Sequence, residues 1–287
     1  MARKHIIITG ASSGIGLEVA KKLITEDHKL YLVIRNPEKI VDVKTELLLI
    51  NPRGRLEVVI ADLSSLKQTA DAVDQILKST DKIDILINNA GAMNSLKEIT
   101  PEGFERTFVT NFLSPFLFTL KLLPALAKSE DKKVLNITSE MYRYNNLTED
   151  YSFEHQHYDM GRAYANSKLA LIYFTQWGAE TWKDLGIKVN CMHPGMVDTA
   201  FGANTRWWVN WGLEIIRPFI RSAKKAAEDV VKIVQSKKFE NVSGEYFKHD
   251  KLSEVSSDAT NTMAMDALIQ YSLDKFNALG FWNEPSL

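Results

Sequence analysis

The sequence predicts an α/β fold, a doubly wound parallel sheet with helices on both faces, in a single domain over residues 1–287. Three observations lead there. Short apolar runs alternate with segments whose apolar positions recur at helical spacing. Those runs are apolar nearly throughout, as suits strands covered on both faces. The first run passes through Thr9-Gly10-Ala11-Ser12-Ser13-Gly14-Ile15-Gly16 straight into a helical pattern. Strand, glycine-rich turn and helix together can hold a dinucleotide pyrophosphate.

The elements follow in order. Residues 4–8 form the first strand, and the helix opened by the turn continues over 17–24. Glycine lets the backbone turn tightly, while the helix start aims free N–H groups at the phosphates. The spacing is G-x-x-x-G-x-G, not G-x-G-x-x-G, so the turn alone is a weak signal. A second strand, 30–34, ends at Arg35-Asn36-Pro37, and Pro37 suits the first turn of a helix running to about residue 50. Asn51-Pro52-Arg53-Gly54 breaks that helix. A third strand, 56–60, leads to Asp62 and Leu63, and Ser64 or Ser65 caps the helix carrying Ala70, Val73, Ile76 and Leu77. The fourth strand, 83–87, ends at Asn88-Asn89-Ala90-Gly91. A long helical region over about 101–128, a fifth strand at 134–138 and a helix at 161–183 come next. The sixth strand, 187–192, ends at His193-Pro194-Gly195. A tryptophan-rich stretch over about 198–222, a helix at 223–236, a strand at 244–247 and a helix at about 258–279 complete the chain.

Composition bounds the function. With 287 residues, 45% hydrophobic and 25% charged, the chain can bury a large core. A net charge of -1 gives no reason to expect nucleic acid or an anionic membrane as the main partner. One cysteine, Cys191, excludes an internal disulfide, suits a reducing compartment and reads as a small core residue. The first strand starts too early for a signal peptide, and no run approaches the roughly 20 apolar residues of a membrane span. A cytoplasmic protein is expected.

Arg35 lies 19 residues beyond Gly16, at the end of the second strand. An acidic residue in that region would accept from a ribose 2′-hydroxyl and repel a 2′-phosphate; an arginine reverses the preference. NADP(H) is therefore expected over NAD(H), with Asn36 assisting. Tyr164 and Lys168 form an i, i+4 pair near a helix start and share one face. A neighbouring ammonium would stabilise the phenolate and bring a phenol of pKa about 10 into use as an acid or base. By itself that spacing is common. However, Asn88 to Gly91, Ser139 and His193 to Gly195 all end strands, so a parallel sheet brings them to one edge with the glycine turn.

Together these motifs resemble the short-chain dehydrogenase/reductase family over essentially the whole chain. They are the glycine turn, Asp62-Leu63, Asn88-Asn89-Ala90-Gly91, Asn111, Ser139, Tyr164 with Lys168, and Pro194-Gly195. The strings around Tyr164, His193 and Ser243-Gly244-Glu245-Tyr246-Phe247 resemble its retinol-dehydrogenase-like and WW-domain-oxidoreductase-like branch. The resemblance implies a Rossmann-type three-layer sheet and an enzyme interconverting a carbonyl and an alcohol. It implies Tyr164 as acid/base, Lys168 as its activator and ribose ligand, Ser139 as the carbonyl's polariser, and Asn111 as anchor of a water. Gly10, Ser12, Ser13, Gly14, Ile15 and Gly16 would hold the pyrophosphate, and Asp62 and Leu63 the adenine. Asn88, Asn89, Ala90 and Gly91 would line the ribose side, while Pro194, Gly195, Val197 and Thr199 would wrap the nicotinamide. Glu140, after Ser139, departs from the family's usual small or apolar residue and places a carboxylate near the entrance.

Trp207, Trp208 and Trp211 suit a lid over a bulky apolar substrate, such as a retinoid, a steroid or another apolar aldehyde or ketone. A dimer contact and peripheral attachment to a membrane are the other readings of that stretch. Glu154, His155, His157 and Asp159 lack a convincing ligand set, so no metal is expected. A non-catalytic NADP(H)-binding scaffold is the rival function, against which the complete Asn111, Ser139, Tyr164, Lys168 set counts. An epimerase or dehydratase would need a larger substrate domain. A homodimer through the two long helices is the arrangement that relatives suggest.

Overall fold

A computed structural model of the chain describes residues 3–145, 147, 149–197 and 221–282. Its strands are β1 (His5–Thr9), β2 (Lys29–Ile34), β3 (Arg55–Ile60), β4 (Ile85–Asn88), β5 (Lys133–Ile137), β6 (Lys188–His193), β7 (Tyr246–Lys248) and β8 (Lys251–Leu252). They form one sheet in the order β3-β2-β1-β4-β5-β6-β7-β8. The first seven are parallel, and β8 folds back antiparallel on β7. The order reverses between β1 and β4, and at such a point an open sheet leaves a crevice at its carboxyl edge.

The helices are α1 (Gly14–Leu23), α2 (Ile40–Ile50), α3 (Leu66–Leu77), α4 (Arg106–Ala127), α5 (Met160–Thr181), α6 (Ala223–Gln235) and α7 (Thr262–Ala278). Strand side chains alternate between two cores, as the two-residue period requires. Ile7, Tyr31, Leu86, Val134 and Cys191 meet α3, α4, α5 and α7 on one face. Ile6, Ile8, Leu30, Ile87 and Met192 meet α1, α2 and α6 on the other. Cys191 is 1% exposed, and burial pushes its thiol up to about 12. It is a core residue. The α4 helix is apolar and long enough to cross a membrane by composition, although charged residues interrupt its apolar run, and most of it is buried inside the fold.

The capping chemistry locates the helix starts. Ser65 accepts from Gln68 N–H at α3 and Asp159 from Arg162 N–H at α5, so each caps its helix. Two short elements were not anticipated: strand β8, and the 3-10 turn Glu140–Tyr144 that follows β5. Ser139 caps that turn by accepting from Met141 N–H at 3.2 Å. Inside α4 a π-helical turn, Val109–Leu113, interrupts the regular ladder at Asn111.

Candidate active site

A cleft of about 860 Å3 opens at the carboxyl edge of the sheet, over the β1–β4 reversal. Gly10, Ser12, Ser13, Gly14 and Ile15 form its floor where α1 begins. Gly10 has φ +65° and Gly14 φ +56°, left-handed values that glycine adopts freely. Asn89 braces the turn, its side-chain amide donating to the Thr9 and Gly10 carbonyls at 2.8 and 3.3 Å. Thr9 Oγ1 accepts from the Asn89 and Ala90 N–H groups, both at 3.0 Å. Ser13 begins α1 without a side-chain cap, so the first helical N–H groups stay available to an anion.

One end of the cleft carries cations. Arg35 and Lys39 line it beside Asn36, both exposed, and neither pairs with a carboxylate among the described residues. Asn36 itself caps the short 3-10 turn Pro37–Lys39, its Oδ1 accepting from Glu38 N–H at 3.0 Å. Asp62 and Leu63 form the adjoining wall, and Asp62 is steadied by Ser64 N–H at 2.9 Å and by Arg106 at 3.5 Å. Lys39 was not singled out from sequence, because it is the turn Pro37–Lys39 after β2 that brings it to the cleft beside Arg35.

The other end gathers Ser139, Tyr164, Lys168 and His193. The α5 helix is held to β5 where Thr138 Oγ1 donates to the Lys168 carbonyl at 3.0 Å. Lys168 Nζ donates to the Ile137 carbonyl at 2.9 Å and stands 5.5 Å from the Tyr164 ring centre. Both side chains are almost wholly buried, at 8% and 3% exposure for Tyr164 and Lys168. Burial raises the Tyr164 phenol to about 12, opposed by its hydrogen bond with Ser139. The same burial lowers the Lys168 ammonium to about 7. Desolvation thus opposes the charged form of both groups. The site presents a protonated phenol beside a serine hydroxyl, an arrangement able to donate a proton to a carbonyl oxygen.

Not every expected residue reaches the cleft. Asn111 is fully buried beneath it, accepting from Ala92 N–H at 2.7 Å and donating to the Ala92 carbonyl and to Ser167 Oγ, both at 2.9 Å. Ser167 in turn donates to the Tyr164 carbonyl at 2.7 Å. Asn88 turns into the core, where it donates to Asn136 at 2.9 Å and Thr119 at 3.3 Å. Gly16 serves packing: a Cβ there would lie 2.4 Å from the Gly10 carbonyl oxygen. Ala90, Gly91, Pro194, Gly195 and Val197 do line the cleft. Thr199 and residues 207–211 lie outside the described residues.

Glu140 does line the cleft, where its carboxylate is held by neighbours. It accepts from Tyr246 at 3.2 Å and Lys248 at 3.0 Å, with Arg143 at 3.7 Å. Burial opposes its charge, but Lys248, Tyr246 and Arg143 prevail and hold it below the usual carboxylate range. His193 is lowered to about 4, mainly by burial, and so stays neutral near pH 7. Among the described residues no three His, Cys, Asp or Glu side chains converge on a common point.

The cleft therefore fits a dinucleotide: free helical N–H groups at a glycine turn, cations without carboxylate partners among the described residues at one end, and a buried phenol at the other. Comparison with known proteins agrees. Residues 4–210 match the short chain dehydrogenase family. Retinol dehydrogenase 13 of Mus musculus is 33% identical over 254 residues, 85% of this chain and 75% of that protein. Retinol dehydrogenase 12 of Homo sapiens is 29% identical over 272 residues, 94% and 85% of the two chains. An uncharacterised protein from Mycobacterium paratuberculosis shares the fold with a TM-score of 0.77 at 23% identity, over 96% of this chain and 94% of that one. A Burkholderia cenocepacia short chain dehydrogenase solved with NADP has a TM-score of 0.68 at 22% identity, over 86% and 96%.

Proposed function

The chain belongs to the short chain dehydrogenase family, and from that premise we propose that it interconverts a carbonyl and an alcohol on a lipophilic substrate with NADP(H). The observation that carries the reading is the pairing of half-buried Ser139 with the buried Tyr164, next to buried Lys168, at the end of the cleft opposite Arg35 and Lys39. One domain holds both the cofactor and the catalytic groups. When bound, the nicotinamide supplies or accepts the hydride.

The chain's own residues do the rest. Arg35 and Lys39 attract the 2′-phosphate, which their lack of carboxylate partners among the described residues favours. The glycine turn and the start of α1 hold the pyrophosphate. Tyr164 gives its proton to the carbonyl oxygen in reduction and takes it back in oxidation, while Ser139 donates to the same oxygen. Lys168 stands below the phenol and holds the nicotinamide ribose. Asn111 acts at one remove, fixing Ala92 and, through Ser167, the backbone of Tyr164. A lipophilic aldehyde or ketone is the substrate class, supported by the printed names of the retinol dehydrogenase relatives. A panel of apolar aldehydes and ketones, retinal included, followed by NADPH oxidation tests this reading. Absence of turnover by protein that binds NADPH would refute it.

A further inference from the structure

Arg221 stands just before α6, whose cap is Ser222. Its contacts reach three distant parts of the chain. Nη1 donates to the Pro194 carbonyl at 2.8 Å, pairs with Asp229 at 2.8 Å and meets Nδ1 of His249. Its backbone N–H donates to the Met196 carbonyl at 2.7 Å, and Arg221 forms a parallel bridge with Val197. Gly195 has φ +89°, and a Cβ there would lie 2.8 Å from Arg221 Cδ and 2.9 Å from His249 Cε1. The 194–197 turn is thus seated on the arginine with no room for a side chain between them.

Residues 194–197 form one wall of the cleft, and Ser13, Gly14 and Ile15 form the floor facing it. Asp229, the arginine's partner, is 5% exposed on α6. That helix shares its core with α1, where Ala226, Ala227 and Val230 cluster with Val19, Ala20 and Leu23. Lys22 on α1 also pairs with Glu228 on α6 at 3.3 Å. A continuous line of contacts therefore runs from the glycine turn along α1, across to α6, and through Asp229 and Arg221 to the 194–197 wall. Arg221 itself is outside the cleft lining.

We infer that Arg221 is a positioning residue for the dinucleotide: through Asp229 it sets the 194–197 wall relative to the glycine turn. This inference rests on the function proposed above for the occupant of the cleft. A largely desolvated ion pair holds geometry better than an exposed one, because breaking it leaves a buried charge without compensation. The strut acts on binding, since Arg221 contacts neither Ser139 nor Tyr164.

The test is NADPH binding, followed by fluorescence, to the wild-type chain and to Arg221→Met, Asp229→Asn, the double variant and Arg221→Lys. Arg221→Met should raise the NADPH Kd about tenfold or more, by the scale on which such partners act. Asp229→Asn should act in the same direction, and the double variant should be no worse than Arg221→Met, because both break one strut. Arg221→Lys should recover most of the affinity, since a single nitrogen serves all three partners. Amide hydrogen exchange of the cofactor-free protein should quicken at Arg221, whose N–H holds the Met196 carbonyl, and stay unchanged in β1 and β4. A purely structural role for Arg221 would instead destabilise the variants while the NADPH Kd of the folded protein stayed near wild type. An Arg221→Met Kd within about twofold of wild type would overturn the inference while leaving the proposed function intact. A wild-type chain that binds neither NADPH nor NADH would overturn that function, and hydrogen exchange would then decide separately whether Arg221 holds the turn.

Discussion

Replacing Lys168 by methionine removes a buried amine, keeps an unbranched side chain, and should alter stability in a way that depends on pH. Burial lowers the Lys168 ammonium from 10.5 to about 7, and the residue is only 3% exposed, so solvent screens it little. Above pH 7 the folded chain carries a neutral amine there, while the unfolded chain stays protonated up to about 10.5. Unfolding consequently takes up a proton, and raising the pH from 7 to 10 works against unfolding. The gap between 10.5 and about 7, at about 1.4 kcal/mol per pH unit, amounts to about 5 kcal/mol of charge-burial cost. Integrated over the titration, about 2 kcal/mol of it is relieved between pH 7 and 9. The methionine variant carries no such cost. Tyr164 does not confuse the window, because burial places its titration near 12. Urea unfolding of both cofactor-free proteins at pH 7, 8 and 9 reads the effect. The stability of wild type minus that of Lys168→Met should climb by about 2 kcal/mol across that range. A difference that stays flat would refute the claim that burial neutralises Lys168.

Three further outcomes follow from the same geometry. Arg35→Glu should lower the preference for NADPH over NADH by roughly 10- to 100-fold, the scale of one lost charge-assisted contact, as read by paired Kd measurements. An unchanged ratio would mean that Arg35 does not meet the 2′-phosphate. Gly16→Ala should destabilise the fold by about 1–3 kcal/mol, as overpacking does, because its Cβ would lie 2.4 Å from the Gly10 oxygen and 2.5 Å from Asn89 Nδ2; thermal unfolding reads this, and an unshifted midpoint would contradict it. Glu140→Gln should destabilise at neutral pH by loosening the ties to Lys248 and Tyr246. Because the folded Glu140 carboxyl is held below its ordinary value of 4.5, that loss should shrink as the pH falls through and below 4.5. A gap between the two proteins that is constant from pH 7 to 3 would argue against it.

The sheet was legible because its evidence is local. Apolar runs such as 30–34 and 83–87 need only their own residues to declare a buried strand, and the glycine turn needs only its neighbours. Tyr164 and Lys168 were legible for the same reason, four residues apart on one helix. What escaped depends on contacts distant in sequence. Arg221 reaches Pro194 across 27 positions, and Lys248 reaches Glu140 across 108. Asn88 and Gly16 belong to motifs that line a cleft, but whether each faces ligand or core is settled by Asn136, Thr119 and the Gly10 oxygen. The environment of the Tyr164 pair was illegible for a related cause. Spacing reveals the neighbouring charge, whereas the desolvation of both groups arises only once the fold closes over them.

The central claim is that Tyr164 is the proton donor of an NADPH-dependent carbonyl reductase. The most direct measurement follows NADPH and NADH oxidation with apolar aldehydes and ketones, for wild type and for Tyr164→Phe. The account predicts turnover with NADPH, weaker use of NADH, and a loss of at least about 100-fold in the phenylalanine variant, whose NADPH binding stays near wild type. Equal turnover by the two proteins would contradict it.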